Sequence, residues 1–359
     1  MNTNPKQSTH ISHSLSHTHT LSLLIMAVRS TQPLRIQRLR SLPLTPLLLL
    51  LFRCSACLPW THPLRSAVDR VNGERGPFIA LVMAYPAEAA AVRSSGAFVP
   101  SSLIPSVDLY GRRFHIGTIQ DVDVIYVMSG QRRLNAGITV QILLDVFNIR
   151  GIVHYGTAGS ANDSLSCGDV SVPKFVAYTG SWEWTKFGST SEPSRDLMFG
   201  EYNVPTEGTN LLSSVEFKTE EFYSVGKPME EVFWLEVNAA WFRVAEQLKV
   251  QLERCVNKTY CLPEAPKVVF GLKASTADVF VDNAAYREFL FKEFEVSTVD
   301  EESAAVIMTA MSISVPVAVF RGVSDLAGGD ANWSSTALSD LASTNALKVA
   351  VEFIAAIGK

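Results

Sequence analysis

The sequence predicts an α/β fold, a three-layer sandwich in which a central mixed, mostly parallel sheet is covered by helices on both faces. Three observations predict it. Residues 78–85, FIALVMAY, form a continuous apolar run between Gly76-Pro77 and Pro86, the pattern of a strand buried on both faces. Two further apolar strands follow, separated by helical patterns, so strand and helix alternate as in right-handed parallel crossovers. The chain then closes on sequence with the apolar spacing of an amphipathic helix, Leu341 to Ile357.

After the first strand, Ala87 to Val92 reads as a helix. Val122 to Met128 reads as a strand ending at Ser129-Gly130, Leu134 to Phe147 as a helix, and Gly151 to Tyr155 as a third strand ending at Gly156. Residues 159–225 are richer in Ser, Gly, Pro and Thr and read as loops around a strand at Val170 to Val172. Met229 to Val256 reads as one long helix, because Val232, Leu235, Ala239 and Phe242 fall on one face. Strands at Val268 to Leu272 and Val315 to Phe320 and helices at Asn283 to Phe294 and Glu302 to Met311 complete the pattern. No internal repeat is present.

The 359 residues are 47% hydrophobic and 18% charged, enough apolar material for a large core, and the net charge of −4 gives no general attraction to nucleic acid. The first quarter differs in composition. Residues 1–25 are a low-complexity Ser/Thr/His tract (His10, His13, His17, His19), read as a gene-model extension before Met26 and not as a metal site. Residues 26–57 carry Arg29, Arg35, Arg38 and Arg40, an apolar stretch from Leu47 to Phe52, and small residues Ser55-Ala56-Cys57: a signal-peptide-like leader, with a transit peptide or disordered arm as the competing reading. The apolar stretch is too short and proline-broken for a membrane span, so no membrane association is expected after leader removal. Residues 58–77 read as a linker and 78–358 as the folded domain. Cys255 and Cys261 flank a short polar loop that a disulfide would close in an oxidising compartment. With the sequons at Asn162, Asn257 and Asn332, this predicts a secretory-pathway protein, extracellular or vacuolar.

In open α/β sheets ligands bind beyond the carboxyl ends of the strands. That rule selects Glu88, Ser129-Gly130 with its permissive glycine, the turn Gly156-Thr157-Ala158-Gly159, and Arg321 to Asp325. Glu301-Glu302 adds a carboxylate pair at a helix start.

Five segments in order, GTAG (156–159), SLSCGDV (164–170), STADVFV (275–281), VDEESAAV (299–306) and VPVAVFRGVSD (315–325), resemble the purine nucleoside phosphorylase/uridine phosphorylase superfamily over residues ~78–358. They are most similar to methylthioadenosine/S-adenosylhomocysteine nucleosidases and plant bark-storage proteins. The leader, LNAGIT (134–139) and SDLAGGD (324–330) point toward the storage branch. The resemblance implies a nucleoside phosphorylase-like fold, cleavage of the N-glycosidic bond of adenine-type nucleosides, no metal or organic cofactor, and a homodimer or larger assembly. It implies Asp325 as the acid at purine N7, oriented by Ser324, because protonation makes the base a better leaving group. It implies Glu302 as the carboxylate holding the ribose hydroxyls and opposing the positive charge that develops on the sugar. Phe280 and Val281 would form the base pocket, Phe280 by stacking, with Thr157 and Arg321 around the nucleophile and Gly130 beside the ligand. Glu88 falls where the nucleosidases keep a carboxylate that activates water. A carboxylate there repels phosphate, so hydrolysis is favoured, with Arg132 and Arg133 of the SGQRR loop as the cations that phosphate as co-substrate would need.

Residue by residue, plainer roles compete: Asp325 as the cap of a helix begun at Leu326, Phe280 as core, Glu88 as a solvated early-helix acid, Arg132 and Arg133 as solvated loop charges. One departure stands out. Where the nucleosidases usually have Met-Glu, this chain has Glu301-Glu302, which places like charge beside Glu302. Either one of the pair holds a proton or Glu301 turns away. The segment Lys174 to Val268, with Trp182, Trp184 and Phe187, is longer than in compact relatives, and its aromatics read as packing. The second function the resemblance allows is a vegetative storage glycoprotein with weak or no catalysis.

Overall fold

The structure, a computed structural model, describes residues 58–59, 61–186, 196–198, 214–329 and 336–358. The low-complexity tract, the leader, Phe187 and the Asn332 sequon lie outside them. The chain divides into residues 1–53 and 54–359, and every described residue belongs to the second unit.

The folded part begins upstream of the first strand. Helix α1 (Arg65–Glu74) occupies much of the expected linker. Val68 and Val71, one turn apart, enter the main core, and Asn72 Nδ2 donates to Val146 O at 2.9 Å. The reading of 58–77 as a linker is therefore corrected.

Strand β1 (Phe78–Met83) is buried over its whole length, as its unbroken apolar run requires. It is followed by α2 (Pro86–Ser95), β2 (Phe98–Pro100), β3 (Ser106–Leu109), β4 (Arg112–Ile119) and β5 (Val122–Met128). Next come α3 (Arg133–Val146), the long strand β6 (Ile149–Ser160), β7 (Val170–Val172) and β8 (Phe175–Tyr178). Strands β9 (Trp182–Trp184), β10 (Asp196–Met198) and β11 (Ser214–Phe217) make a small antiparallel sheet, and β12 (Glu220–Phe222) pairs with β13 (Glu230–Val232). Then β14 (Trp234–Glu236), α4 (Ala239–Ala245), β15 (Val268–Phe270), β16 (Lys273–Thr276) and α5 (Ala284–Phe294) follow. Last come β17 (Val296–Asp300), α6 (Ser303–Ser312), β18 (Val317–Leu326) and α7 (Thr336–Gly358).

The main sheet runs β14-β8-β16-β17-β6-β1-β5-β4-β2, with β18 also paired to β6, β7 to β18, β15 to β7, and β3 to β4. Its centre, β5-β1-β6-β18, is parallel, with Val82 opposite both Val127 and His154, and His154 opposite Val319. The carboxyl ends of these four strands thus open on one edge. Helices α3 and α6 pack together, while α7 lies along β18 and β6 and against α2 and α4. The close approach of α7 needs Gly322, where a Cβ would stand 2.1 Å from Ala342 O.

Two expectations change here. Met229 to Val256 is not one helix: it yields β13, β14 and only the short α4, capped by Asn238 accepting from Trp241 N at 3.0 Å. The stretch 230–237 is rich in Val, Phe, Trp and Leu, which suit a pleated surface, and Trp234–Glu236 pairs with the sheet through β8. Strand β18 runs on to Leu326, so no helix begins there for Asp325 to cap. Cys255 and Cys261 are disulfide-bonded, and Cys167 is a free, buried thiol.

Candidate active site

Where the strand ends converge, a crevice of about 460 Å³ opens. Its wall includes Glu88, Thr157, Phe280, Val281, Glu302, Ser324 and Asp325, so seven of the nine residues selected from sequence come together. Gly130 and Arg321 do not reach the wall.

Glu88 sits at the first turn of α2 and is 2% exposed, so it is not a solvated helix acid. Its Oε2 accepts from the amides of Ala84 and Tyr85, both at 2.9 Å, a carboxylate reaching back to the helix start. Oε1 accepts from Thr157 N at 2.7 Å and from Thr157 Oγ1 at 3.2 Å. Three of these donors are fixed backbone groups; the hydroxyl is the longest contact and the one free to rotate. A Cβ at Gly156 would stand 2.4 Å from Arg321 Nη1 and 2.5 Å from Glu88 Oε1, so a larger residue there would displace both groups.

Glu302 lies at the start of α6. Its Oε1 accepts from Arg132 N at 2.9 Å and its Oε2 from Arg321 Nη2 at 3.2 Å. Burial pushes its carboxyl up to about 7, against the pull of Arg321 and with a further push from Asp300 and Glu88. Asp300, unselected from sequence, builds the start of α6: its Oδ1 accepts from Glu302 N (3.0 Å), Ser303 N (2.9 Å) and Thr276 Oγ1 (2.7 Å). Burial works against its charge, yet Arg321 and these hydrogen bonds hold it below the usual carboxylate range.

Arg321, placed at the nucleophile by the sequence reading, is wholly buried behind the wall. Nε donates to Ser303 Oγ at 3.0 Å and lies 3.1 Å from Asp300 Oδ2; Nη1 donates to Thr157 O at 3.3 Å; Nη2 reaches both Glu302 and His154 Nε2. Its donors are spent on the protein, so direct contact with a nucleophile is corrected to organisation of the carboxylates. Gly130 likewise serves the turn, with φ +87, and Gln131 takes the place on the wall.

Asp325 is half-buried near the end of β18, and its Oδ1 accepts from Ser324 Oγ at 2.5 Å, which orients the carboxyl as expected. Phe280 is 71% exposed at the lip, so it is not core; Val281 is buried beside it. The nearby Cys167 thiol is pushed up to about 12, mainly by burial and then by Asp325 and Asp169, which disfavours the nucleophilic thiolate.

Glu301 stays on the wall, with its Oε1 3.8 Å from Arg132 Nε. It neither turns away nor stands alone, and burial first of all raises its carboxyl. Arg132 adopts φ +75, a backbone conformation that side chains rarely take, and this aims its amide at Glu302. Arg133 is held by Asp278 at 3.0 Å and lies over the Tyr178 ring at 4.2 Å. Neither arginine of the SGQRR loop lines the crevice, although Arg132 reaches its wall at Glu301. Among the described residues the wall carries Glu88, Asp300, Glu301, Glu302, Asp325 and Asp340 and neither Lys nor Arg.

Comparison with known proteins agrees with this architecture. The phosphorylase superfamily model matches residues 78–355. Bark storage protein A of Populus deltoides is 43% identical over 270 residues, covering 74% of this chain and 85% of the relative. A 5'-methylthioadenosine/S-adenosylhomocysteine nucleosidase of Listeria innocua is 26% identical over 255 residues, covering 71% and 91%. Among solved structures, the nucleosidase of S. pneumoniae with a transition-state inhibitor aligns at TM-score 0.56 and 21% identity, covering 78% of this chain and 99% of that one. That of Colwellia psychrerythraea with adenine aligns at 0.57 and 19%, covering 79% and 96%.

Proposed function

This chain belongs to the phosphorylase superfamily, and we propose that its crevice cleaves the N-glycosidic bond of an adenine-type purine nucleoside with water, not phosphate, as the nucleophile. The observation that carries the choice is the acidic wall: six carboxylates and, among the described residues, no cation. Phosphate would find carboxylates and no lining cation to hold it, whereas a ribose acquiring positive charge is stabilised. In this reading Asp325, steadied by Ser324, gives its proton to purine N7, and the C1′–N9 electron pair leaves with a neutral base. Glu302 holds the ribose hydroxyls against the forming cation. Water adds to C1′ as Glu88 takes its proton, the Thr157 hydroxyl being the partner that water displaces. Phe280 stacks on the base from the lip, beside Val281.

The test is release of free base from methylthioadenosine, adenosine and inosine, with and without phosphate. The expected result is release that phosphate does not stimulate and that Asp325→Asn lowers at least ~100-fold. No release from any nucleoside rejects the reading, and strict phosphate dependence rejects water.

The second reading is a secreted or vacuolar storage glycoprotein. It is favoured by the 43% identity to the bark storage proteins, by Glu301, and by a disulfide suited to an oxidising compartment. Abundance that follows nitrogen supply, with no turnover by the purified protein, would select it.

A further inference from the structure

His154 has no part in the scheme above, yet it sits at the centre of the sheet, fully buried on β6 between β1 and β18. Its Nδ1 is 3.0 Å from Val82 O, and its Nε2 is 2.5 Å from Arg321 Nη2. A carbonyl oxygen can only accept, so Nδ1 carries the hydrogen. Nε2 then presents a lone pair, and a guanidinium can only donate to it. The two neighbours thus fix one neutral tautomer. Burial and the Arg321 charge agree, pushing the ring down to about 3.

The consequence lies at Arg321. Asp300, Glu302 and Ser303, three of its five partners, come from one short segment at the start of α6, and Thr157 O comes from β6, where the sequence predicts a turn. His154 holds the guanidinium from β6, in the middle of the sheet. It does so without adding negative charge, so the full cation stays directed at the two carboxylates. With one Nη2 hydrogen pinned on His154, the other points to Glu302 Oε2. The line runs from Val82 O through the imidazole and the guanidinium to the ribose carboxylate.

We infer that His154 is a positioning residue for Glu302: its neutral imidazole fixes Arg321 Nη2 and thereby sets the orientation and charge of the carboxylate at the ribose site. The catalytic side of this inference rests on the proposed nucleoside reading; the electrostatic side does not. Besides Arg321, the charged groups facing Glu302 are Asp300, Glu88 and, across the crevice mouth, Glu301 with Arg132.

The experiment therefore reads Glu302 directly, by carboxyl-carbon NMR titration of the intact protein, together with base-release kinetics. His154→Phe keeps the ring's volume and removes the acceptor; His154→Asn keeps a polar group for Val82 but cannot reach Arg321; His154→Gln returns an oxygen near the Nε2 position. Loss of the acceptor should raise Glu302's proton affinity about tenfold in Phe and Asn, and Gln should restore most of it. The ascending limb of kcat/KM should move to higher pH by the same factor. A role confined to packing would lower the melting temperature and leave Glu302's titration unchanged in all three variants, and that result overturns the inference. If the wild type releases no base, the nucleosidase reading fails while the titration still decides the role of His154.

Discussion

Glu302 gives the sharpest quantitative expectation. As a ribose holder it must be ionised, to accept two hydroxyl hydrogens and to face a cation. Its carboxyl is pushed up to about 7, first by burial. With one proton binding at that value, only about a tenth of the free protein carries the carboxylate at pH 6 and about nine tenths at pH 8. The rate kcat/KM, which reports the free enzyme, should therefore rise with unit slope below pH 7, stand at half its plateau near pH 7 and level off above it. The assay is the ultraviolet change on base release from about pH 5 to pH 9. Glu302→Gln should abolish the limb and lower kcat/KM by ~100- to 1000-fold. The same value has a stability consequence of fixed sign. Between 4.5 and about 7 the folded state binds more protons at Glu302 than the unfolded chain. This contribution is complete below the unfolded value and is lost as pH rises through the folded one, by roughly 3 kcal/mol. Asp300, whose carboxyl is lowered, has the opposite sense: its stabilisation is present above the ordinary carboxylate range and lost in stronger acid. A nucleoside that brings hydroxyl donors to Glu302 should raise the melting temperature more at pH 8 than at pH 6. A rate limb centred below about pH 5.5, or one that survives in Glu302→Gln, would refute this reasoning.

Three further outcomes are expected. Arg321→Met leaves Asp300 and Glu302 buried without their cation, which should cost about 3–5 kcal/mol in urea unfolding at pH 8 and less at pH 5.5, where Glu302 takes up a proton; a loss under ~1 kcal/mol contradicts the geometry. Glu301→Met removes a carboxylate from the wall and adds an apolar surface, and KM for methylthioadenosine should fall about fivefold, the equivalent of ~1 kcal/mol; an unchanged or higher KM indicates that Glu301 does not meet the ligand. In protein passed through a secretory pathway, intact mass should show a glycan on Asn257 and none on Asn162. Asn257 is exposed, with Oδ1 accepting from Thr259 Oγ1 at 2.8 Å. Asn162 Nδ2, the atom a sugar would occupy, instead donates to buried Ser297 Oγ at 3.2 Å.

The parts of this molecule that the sequence disclosed are those governed by local pattern. The run at 78–83 reads as a doubly buried strand and is one, and breakers after β1 and β5 mark two edges of the crevice; Gly156, read as the end of the third strand, lies inside β6, which runs on to Ser160. The failures share a different cause. For Met229 to Val256, helical spacing of four apolar residues was outweighed by an available sheet edge that took Trp234–Glu236 as a strand. Arg321 stood at the right strand end, but whether an arginine faces a ligand or the interior depends on partners elsewhere: Ser303, Asp300 and Glu302 lie some 20 positions away, and their side chains absorb its donors. His154 is separated from Arg321 by 167 positions. The one available signal was a lone imidazole inside the apolar strand GIVHYG, which had to find a partner because buried polar groups are seldom left unpaired.

The buried network also bears on the choice between enzyme and store. A protein kept only as a nitrogen reserve needs a stable core, and Arg321 with Asp300, Glu302 and His154 is a poor way to build one. Charges taken out of water carry a desolvation penalty of several kcal/mol each, and apolar replacements of similar volume are often neutral or stabilising. Here the arrangement does something that stability alone does not require. One hidden cation keeps Asp300 charged and opposes the protonation of Glu302, while among the described residues the visible wall carries no positive group. The crevice thus presents carboxylates to whatever enters, with their cation behind the wall. The proposed cleavage gives these features a use, including the strained backbone at Arg132 that delivers an amide to Glu302, and base release from a nucleoside is the measurement that separates it from storage.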